Sequence, residues 1–219
     1  VVDVELVGSR VVRIVNCHWW PNNYGPFLAQ DKLRAEPQVD LNILAKLVKE
    51  KGARRGGTRG YRATIEPLEE AIEEKRAIFL VGDFNEPSHL DWTEHYAEKG
   101  PDRWVDNPTG IPLRFPLRWP GSVLLENIGM VDSFRQAHAD EVKKPGNTWT
   151  PPYPERTPGR RPYGDQVLDR IDRIYHHGKN VKVVSAEVVG EKGDTSDIVF
   201  KGMWPSDHRA VVVEYKWRS

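Results

Sequence analysis

The first half of the chain alternates apolar patterns typical of strands with patterns typical of helices. Arg10–Cys17 is a β-branched run that ends in polar residues, which predicts a strand, and Val4–Val7 is its expected hairpin partner. Apolar residues recur at helical spacing from Val39 to Val48, and Thr64–Lys75 shows a second amphipathic pattern. The continuous apolar run Ala77–Val81 predicts a strand that is covered on both faces.

The second half is dominated by predicted strands. Ser88 is the expected N-cap of a short helix, Pro101–Pro120 is too rich in proline for regular structure, and Ser122–Ile128 predicts a helix that stops before Gly129. Further strands are predicted at Val167–Tyr175, Val181–Val189 and Ala210–Tyr215. Because no repeat or linker divides the chain, we expect one domain over residues 1–219, with a mixed α/β sandwich architecture.

Composition narrows the possible functions only slightly. The 219 residues include 32 Lys and Arg against 32 Asp and Glu, so no net charge attracts the chain to DNA or to an anionic membrane. No apolar stretch approaches the roughly 20 residues that a transmembrane helix needs. A single cysteine, Cys17, excludes an internal disulfide framework and a cysteine-based zinc cluster.

Asp83 and Asn85 directly follow the predicted buried strand Ala77–Val81. Strand alternation sends their side chains to the same side, with Phe84 pointing into the core. A carboxylate beside an amide can hold a metal ion or a water molecule and bind a phosphoryl oxygen. The alternative is an ordinary tight turn, because Gly, Asp and Asn are common turn residues.

A second group of candidates lies in the C-terminal third. Asp207 and His208 stand at the entrance of a predicted strand, and Asp172 sits among apolar residues of another. A buried carboxylate needs a donor, so Asp172 is expected to orient His208, which would take a proton from water. Asp169 is an alternative partner for His208. His18, at the end of its own strand, is uninformative when it is considered alone.

Four short segments, taken in order, resemble the motifs of the endonuclease/exonuclease/phosphatase superfamily. They are Val15–His18, Val81–Asn85, Asp169–Tyr175 and Ser206–Val211. Pancreatic-type deoxyribonuclease, abasic-site endonucleases, neutral sphingomyelinases and inositol-polyphosphate phosphatases share this fold. The resemblance spans Arg10–Tyr215 and implies a DNase I-like four-layer α/β sandwich.

The resemblance also implies a reaction, the hydrolysis of a phosphodiester or phosphomonoester by an activated water. Asp207 resembles the carboxylate that helps to bind a divalent ion, usually Mg²⁺ and otherwise Mn²⁺ or Ca²⁺, and His208 resembles the base. Asp172 corresponds to the acid that orients this base, and Asp83 to the acid that positions the water or assists the leaving oxygen. The implied substrate is phosphorylated: a nucleic acid, a nucleotide or a lipid headgroup.

Two further positions match the superfamily at the phosphate itself. Asn85 corresponds to an amide that contacts the phosphate, and His18 to a histidine that contacts the scissile phosphate and protonates the leaving group. One ion and a ring of donors can neutralise the phosphoryl oxygens and align a water molecule.

The sequence departs from the superfamily pattern at its beginning. Members carry an Asn and a metal-binding Glu on strands upstream of the segment that ends at His18, and Glu5 is in the wrong place to be that Glu. The chain also begins at Val1 without Met. We therefore expect the C-terminal piece of a longer domain. The alternative is a non-catalytic module that keeps the fold and binds phosphate or a partner.

Substrate preference is only weakly indicated. Basic residues at 51–62 and 156–161 could clamp phosphates, or they could be solvated surface. Aromatic residues close after His18 could form a wall for a base, sugar or lipid headgroup, or they could pack in the core. These aromatic residues are Trp19, Trp20 and Tyr24. Aromatic and proline-rich loops would also suit a secreted enzyme.

Overall fold

A computed structural model describes residues 1–8, 10–53 and 57–217. Its strands are β1 (Val2–Leu6), β2 (Arg10–His18), β3 (Ala77–Asp83), β4 (Val131–Asp132), β5 (Asp172–His177), β6 (Val181–Gly190), β7 (Ile198–Val199) and β8 (Ala210–Trp217). Its α-helices are α1 (Gly25–Ala35), α2 (Leu41–Ala53), α3 (Gly57–Glu73), α4 (Glu94–Lys99), α5 (Pro120–Asn127) and α6 (Ser133–Ala137), with a 3-10 helix at Tyr163–Asp165. Among the described residues, none of these helices combines the length and the apolar character that crossing a membrane requires.

The strands form two sheets, as expected for a mixed α/β sandwich. One sheet has the order β1-β2-β3-β5-β4, and the other has the order β7-β6-β8. In the larger sheet β2 and β3 are parallel, whereas β5 runs antiparallel to β3. The C-terminal ends of β2 and β3 therefore meet the beginning of β5 at one edge of the sheet.

The larger sheet is covered on both faces, and this arrangement explains its apolar strands. On one face Val15 and Leu80 belong to a buried cluster that includes Leu68 of α3 and Leu125 of α5. On the other face Val12 and Phe79 pack with Tyr215 and other residues of the smaller sheet. Burial on both faces is why β3 reads as an unbroken apolar run rather than as an alternating one.

The proline-rich crossing between α4 and α5 is irregular, as predicted, but it contributes a core of its own. Trp104 and Trp119 of the crossing are almost completely buried, as is Trp92, which lies before α4. They pack with α1 and α2 and with apolar residues of the crossing. The segment is therefore a packed layer and not merely a surface connection.

Some predicted elements differ from the structure. Thr93, not Ser88, caps the short helix α4, because the Thr93 side chain accepts a hydrogen bond from the Tyr96 backbone NH. Helix α1 was not predicted. The helical patterns at Val39–Val48 and Thr64–Lys75 leave a gap over the basic residues between them, which predicts a loop. The structure extends α2 to Ala53 and starts α3 at Gly57; residues 54–56 lie outside the described residues.

Candidate active site

Three predicted site residues form a row across the larger sheet. His18 pairs with Asp83 in the β2–β3 register, and Asp83 pairs with Asp172 in the β3–β5 register. The His18 Nε2 atom lies 3.5 Å from Asp83 Oδ2. The two carboxylates are mostly buried, whereas the His18 side chain is 70 % exposed. Three strand ends therefore bring these residues together as predicted, with His18 at the solvent-exposed end of the row.

His208 completes the row from the loop before β8. Its Nδ1 lies 2.8 Å from Asp172 Oδ2. Because an ionised carboxylate can only accept, Nδ1 is the donor and Nε2 is left for another partner. Burial opposes protonation of the imidazole, but the hydrogen bond to Asp172 and the nearby carboxylates outweigh it and raise the His208 pKa. This is the predicted pairing of an acid with an imidazole.

An extended segment at Thr148 and Trp149 holds the two halves of this pair in place. Thr148 Oγ1 accepts hydrogen bonds from the backbone NH groups of Ile171, at 3.1 Å, and Asp172, at 3.0 Å. The Thr148 carbonyl accepts from the backbone NH that follows His208, at 2.8 Å. The Trp149 ring lies 4.6 Å from the His208 ring, centre to centre. The segment thus fixes the orientation of both side chains.

Asp83 and Asn85 contact each other, but β3 ends at Asp83, so the contact is made by the turn that follows the strand and not by strand alternation. The Asn85 backbone NH donates to Asp83 Oδ1 at 2.8 Å, and its side-chain amide donates to Asp83 Oδ2 at 2.9 Å and to the Trp19 carbonyl at 2.8 Å. Burial, followed by the charge of Asp172, raises the Asp83 pKa. A backbone φ of 47° at Asn85 lies in the left-handed region that Asn tolerates better than most residues.

A cavity of 480 Å³ is lined by Asp83, Asp172 and His208, whereas His18, Asn85 and Asp207 are not among its lining residues. Ligand atoms of Asp83, Asp172 and His208 all lie within 4.8 Å of one another, close enough to share one metal ion. Two adjacent carboxylates and an imidazole nitrogen are suitable ligands for a divalent cation. Burial contributes most to the raised pKa of Asp83, and the charge of Asp172 contributes next; a bound cation would offset both effects.

Asp207 takes a different position from the other candidates. Its carboxylate forms an ion pair with Arg160 Nη2, and it is not part of the group formed by Asp83, Asp172 and His208. Burial opposes ionisation of Asp207, but the Arg160 guanidinium outweighs it and lowers the Asp207 pKa. Arg160 was foreseen only as one of several basic residues at 156–161, and nothing in the sequence distinguished it from them.

The alternative partner of His208 has another role. Asp169 is completely buried, and its carboxylate accepts hydrogen bonds from Tyr24, Trp92 and Arg103 at 2.8 to 3.1 Å. Tyr24 is therefore a core residue and not part of a substrate wall.

The two tryptophans that follow His18 differ in burial. Trp19 is buried, donates to Thr64, and packs against Phe84 and Tyr61. Trp20 is 60 % exposed. Of the three aromatic residues, it alone remains on the surface.

A larger cavity of 520 Å³ lies on the helix-covered side of the sheet, beside α5, β4 and α6. Asp132, one of its acids, caps α6 and is paired with Arg170. Another, Glu141, accepts from the Thr93 hydroxyl. The acids predicted from the sequence, Asp83 and Asp172, line the smaller cavity instead.

Comparison with known proteins agrees with the motifs. The sequence profile of the Endonuclease/Exonuclease/phosphatase family matches residues 52–208. The uncharacterized protein F14F9.5 of Caenorhabditis elegans is 29 % identical over 223 residues; the alignment covers 98 % of this chain and 63 % of that protein. The chain thus spans less than two thirds of this relative.

Solved structures of similar fold have low sequence identity. An endonuclease/exonuclease/phosphatase from Beutenbergia cavernae is 15 % identical, with a TM-score of 0.44 over 98 % of this chain and 38 % of its own. Truncated TDP2 of Caenorhabditis elegans is 15 % identical, with a TM-score of 0.43 over 97 % and 56 %. The 3'-5' exonuclease NExo of Neisseria meningitidis is 18 % identical, with a TM-score of 0.40 over 98 % and 64 %. Since no score reaches 0.5, the assignment depends on the profile match: the chain belongs to the endonuclease/exonuclease/phosphatase family.

Proposed function

We propose that this protein hydrolyses phosphoester bonds with the help of a divalent metal ion, Mg²⁺ or alternatively Mn²⁺ or Ca²⁺. The contact of 2.8 Å between His208 and Asp172, beside Asp83 in an open cavity, is the observation that carries the proposal. An imidazole oriented by a carboxylate is a general base suited to activating water. Membership of a family named for nucleases and phosphatases supports the same class of reaction.

The donor set fits a divalent ion. Asp83 and Asp172 would hold it, and Asp207 remains a predicted further ligand once it leaves Arg160. When bound, such an ion supplies positive charge for the phosphoryl oxygens. The fit is supported by the proximity of the two carboxylates, whose mutual repulsion a cation offsets.

Each step of the hydrolysis is assigned to a residue of the protein. His208 takes a proton from the attacking water at Nε2, while Asp172 keeps the ring oriented and stabilises the imidazolium. Asp83 positions the water or assists the leaving oxygen. Asn85 presents its amide to the phosphate by giving up the hydrogen bond that the amide now donates to Asp83 Oδ2. His18, at the solvent-exposed end of the row, contacts the scissile phosphate and protonates the leaving group.

The test is hydrolysis of bis-p-nitrophenyl phosphate and p-nitrophenyl phosphate by the full-length protein, with Mg²⁺ or with EDTA. We expect turnover with Mg²⁺ and none with EDTA. We expect His208→Ala to lower turnover by about 10³-fold, since positioned bases contribute factors of that order. The matched control is His177→Ala, because His177 lies at the opposite end of β5 from Asp172.

Two results would contradict the proposal. Turnover that survives both EDTA and His208→Ala would reject the metal ion and the base. If neither compound nor a wider panel of phosphoesters is hydrolysed with any of the three ions, the protein is the non-catalytic binding module instead.

A further inference from the structure

Arg160 lies at the edge of the candidate site in a fixed orientation. Its guanidinium carbon is 5.5 Å from the centre of the Trp149 ring and 5.3 Å from the centre of the Tyr153 ring. Its Nη2 donates to the Asp207 carboxylate. Two aromatic rings and one ion pair restrict the side chain, so little conformational entropy remains to be lost when it binds a further partner.

The neighbouring arginine provides an internal comparison. Arg161 forms a bidentate pair with Asp31 of α1, at 2.8 and 2.9 Å, and stacks on Phe27. By contrast, Arg160 Nη1 is buried and finds no hydrogen-bond acceptor in the part of the chain that the structure describes. A buried donor of this kind is costly unless a ligand or water satisfies it. Arg161 thus anchors the segment to α1, whereas Arg160 has an N–H donor, Nη1, without an acceptor among the described residues.

Arg160 is linked to the proposed catalytic pair through two of its own neighbours. Trp149, on which Arg160 rests, also contacts the His208 ring, and Asp207 immediately precedes His208 in the chain. The row contributes the negative charges of Asp83 and Asp172, which repel a phosphate. A fixed guanidinium beside the row supplies compensating positive charge, and its planar fork matches two phosphoryl oxygens.

We propose that Arg160 is a substrate-binding residue that donates Nη1 to a non-bridging oxygen of the substrate's phosphoryl group. This inference rests on the proposed function, because it requires a phosphoryl group bound at Asp83, Asp172 and His208. Arg160 does not line the 480 Å³ cavity itself and would reach the phosphoryl group from beside it. The inference makes Arg160 a determinant of phosphate affinity and leaves activation of water to His208. The aromatic pair holds the guanidinium in position, and Asp207 is its partner before the phosphoryl group arrives.

The experiment compares Arg160→Gln with Arg161→Gln in the full-length protein, using calorimetric titration with inorganic phosphate in the presence of Mg²⁺. We expect Arg160→Gln to weaken phosphate binding at least about 10-fold, as is usual for a charge-assisted hydrogen bond. Arg161→Gln should leave phosphate affinity unchanged. Arg160→Lys should restore part of the affinity, because it returns the charge without the fork. With p-nitrophenyl phosphate, Arg160→Gln should raise KM and leave kcat nearly unchanged.

The inference is overturned if Arg160→Gln binds phosphate as tightly as the unmodified protein, or if both glutamine variants lose affinity equally. Failure of the proposed function gives a different result. In that case no ester is hydrolysed, whereas the binding of inorganic phosphate still depends on Arg160. If the unmodified protein hydrolyses the ester and Arg160→Gln leaves KM unchanged, the role of Arg160 is rejected and the proposed function still holds.

Discussion

Asp169 and Asp172 stand three positions apart in one motif, yet they have opposite surroundings. Asp169 is completely buried and accepts hydrogen bonds from three different side chains. Asp172 faces an open cavity, where its side-chain partner is His208 and a second acid, Asp83, lies beside it. The first carboxylate ties segments of the core together, and the second is available for chemistry.

The same contrast extends to the surrounding charges. Below the row, Asp91 is buried between Arg135, whose Nε is 2.5 Å from Asp91 Oδ1, and Arg170, whose Nη2 is 3.1 Å from the same atom. Arg170 also pairs with Asp132. In this buried network each acid faces arginine, whereas in the candidate site acid faces acid. The carboxylates of the buried network are thus paired with guanidinium groups, whereas those of the candidate site are paired with imidazoles and with each other.

Asp172→Asn should have the largest effect on the site. The Asn amide can present its NH2 group, a donor, to His208 Nδ1, so the imidazole loses its orientation. We therefore expect turnover of p-nitrophenyl phosphate to fall by about 10³-fold. The midpoint of thermal unfolding should change little, because the side chain is partly solvated. If Asp172→Asn instead lowers the midpoint of thermal unfolding substantially, Asp172 has a structural role, and it no longer differs from Asp169.

Asp91→Ala should have the largest effect on the buried network. It leaves the Arg135 and Arg170 guanidinium groups without a shared carboxylate in a buried site, and breaking such pairs costs about 3 to 5 kcal/mol. Urea unfolding monitored by circular dichroism would measure the change in the free energy of unfolding. A loss below about 1 kcal/mol would mean that Asp132 and backbone carbonyls suffice for both arginines.

Acid should weaken the same network progressively. Burial opposes ionisation of Asp91, but Arg135 and Arg170 outweigh it and lower the Asp91 pKa to about 2 from the usual 3.8. The ionised group therefore stabilises the fold fully above pH 3.8, and this contribution, about 2 kcal/mol, is lost as the pH falls towards 2. The stability difference between the unmodified protein and Asp91→Asn should shrink over that interval. A difference independent of pH would contradict the assignment.

Asp83→Asn should have the smallest effect on stability. Removing one of two neighbouring carboxylates relieves repulsion with Asp172, so in EDTA we expect the free energy of unfolding to stay the same or rise by up to about 1 kcal/mol. Turnover with Mg²⁺ should nevertheless fall. A clear destabilisation in EDTA would show that Asp83 is mainly a structural partner of Asn85.

The sequence by itself determined the strands that carry the site. The apolar runs in β2 and β3 end at His18 and Asp83, and the order of the short motifs indicated the family that the profile match then showed. Such patterns are local, because a strand's faces and end follow from a few consecutive residues. The same local patterns did not predict features that depend on tertiary packing. Helix α1 was not predicted, and the ends of α2 and α3 extend further than the periodicity indicated.

Only the tertiary structure decided which acids serve the site. The sequence favoured Asp172 as the partner of His208 and left Asp169 as an alternative. The structure excludes Asp169, because buried donors surround it, and places Asp172 against His208. Arg160 was indistinguishable from Arg161 in the sequence. The physical reason is that hydrogen-bond partners, burial and ion pairs depend on residues far apart in the chain, and composition and spacing carry no information about those distances.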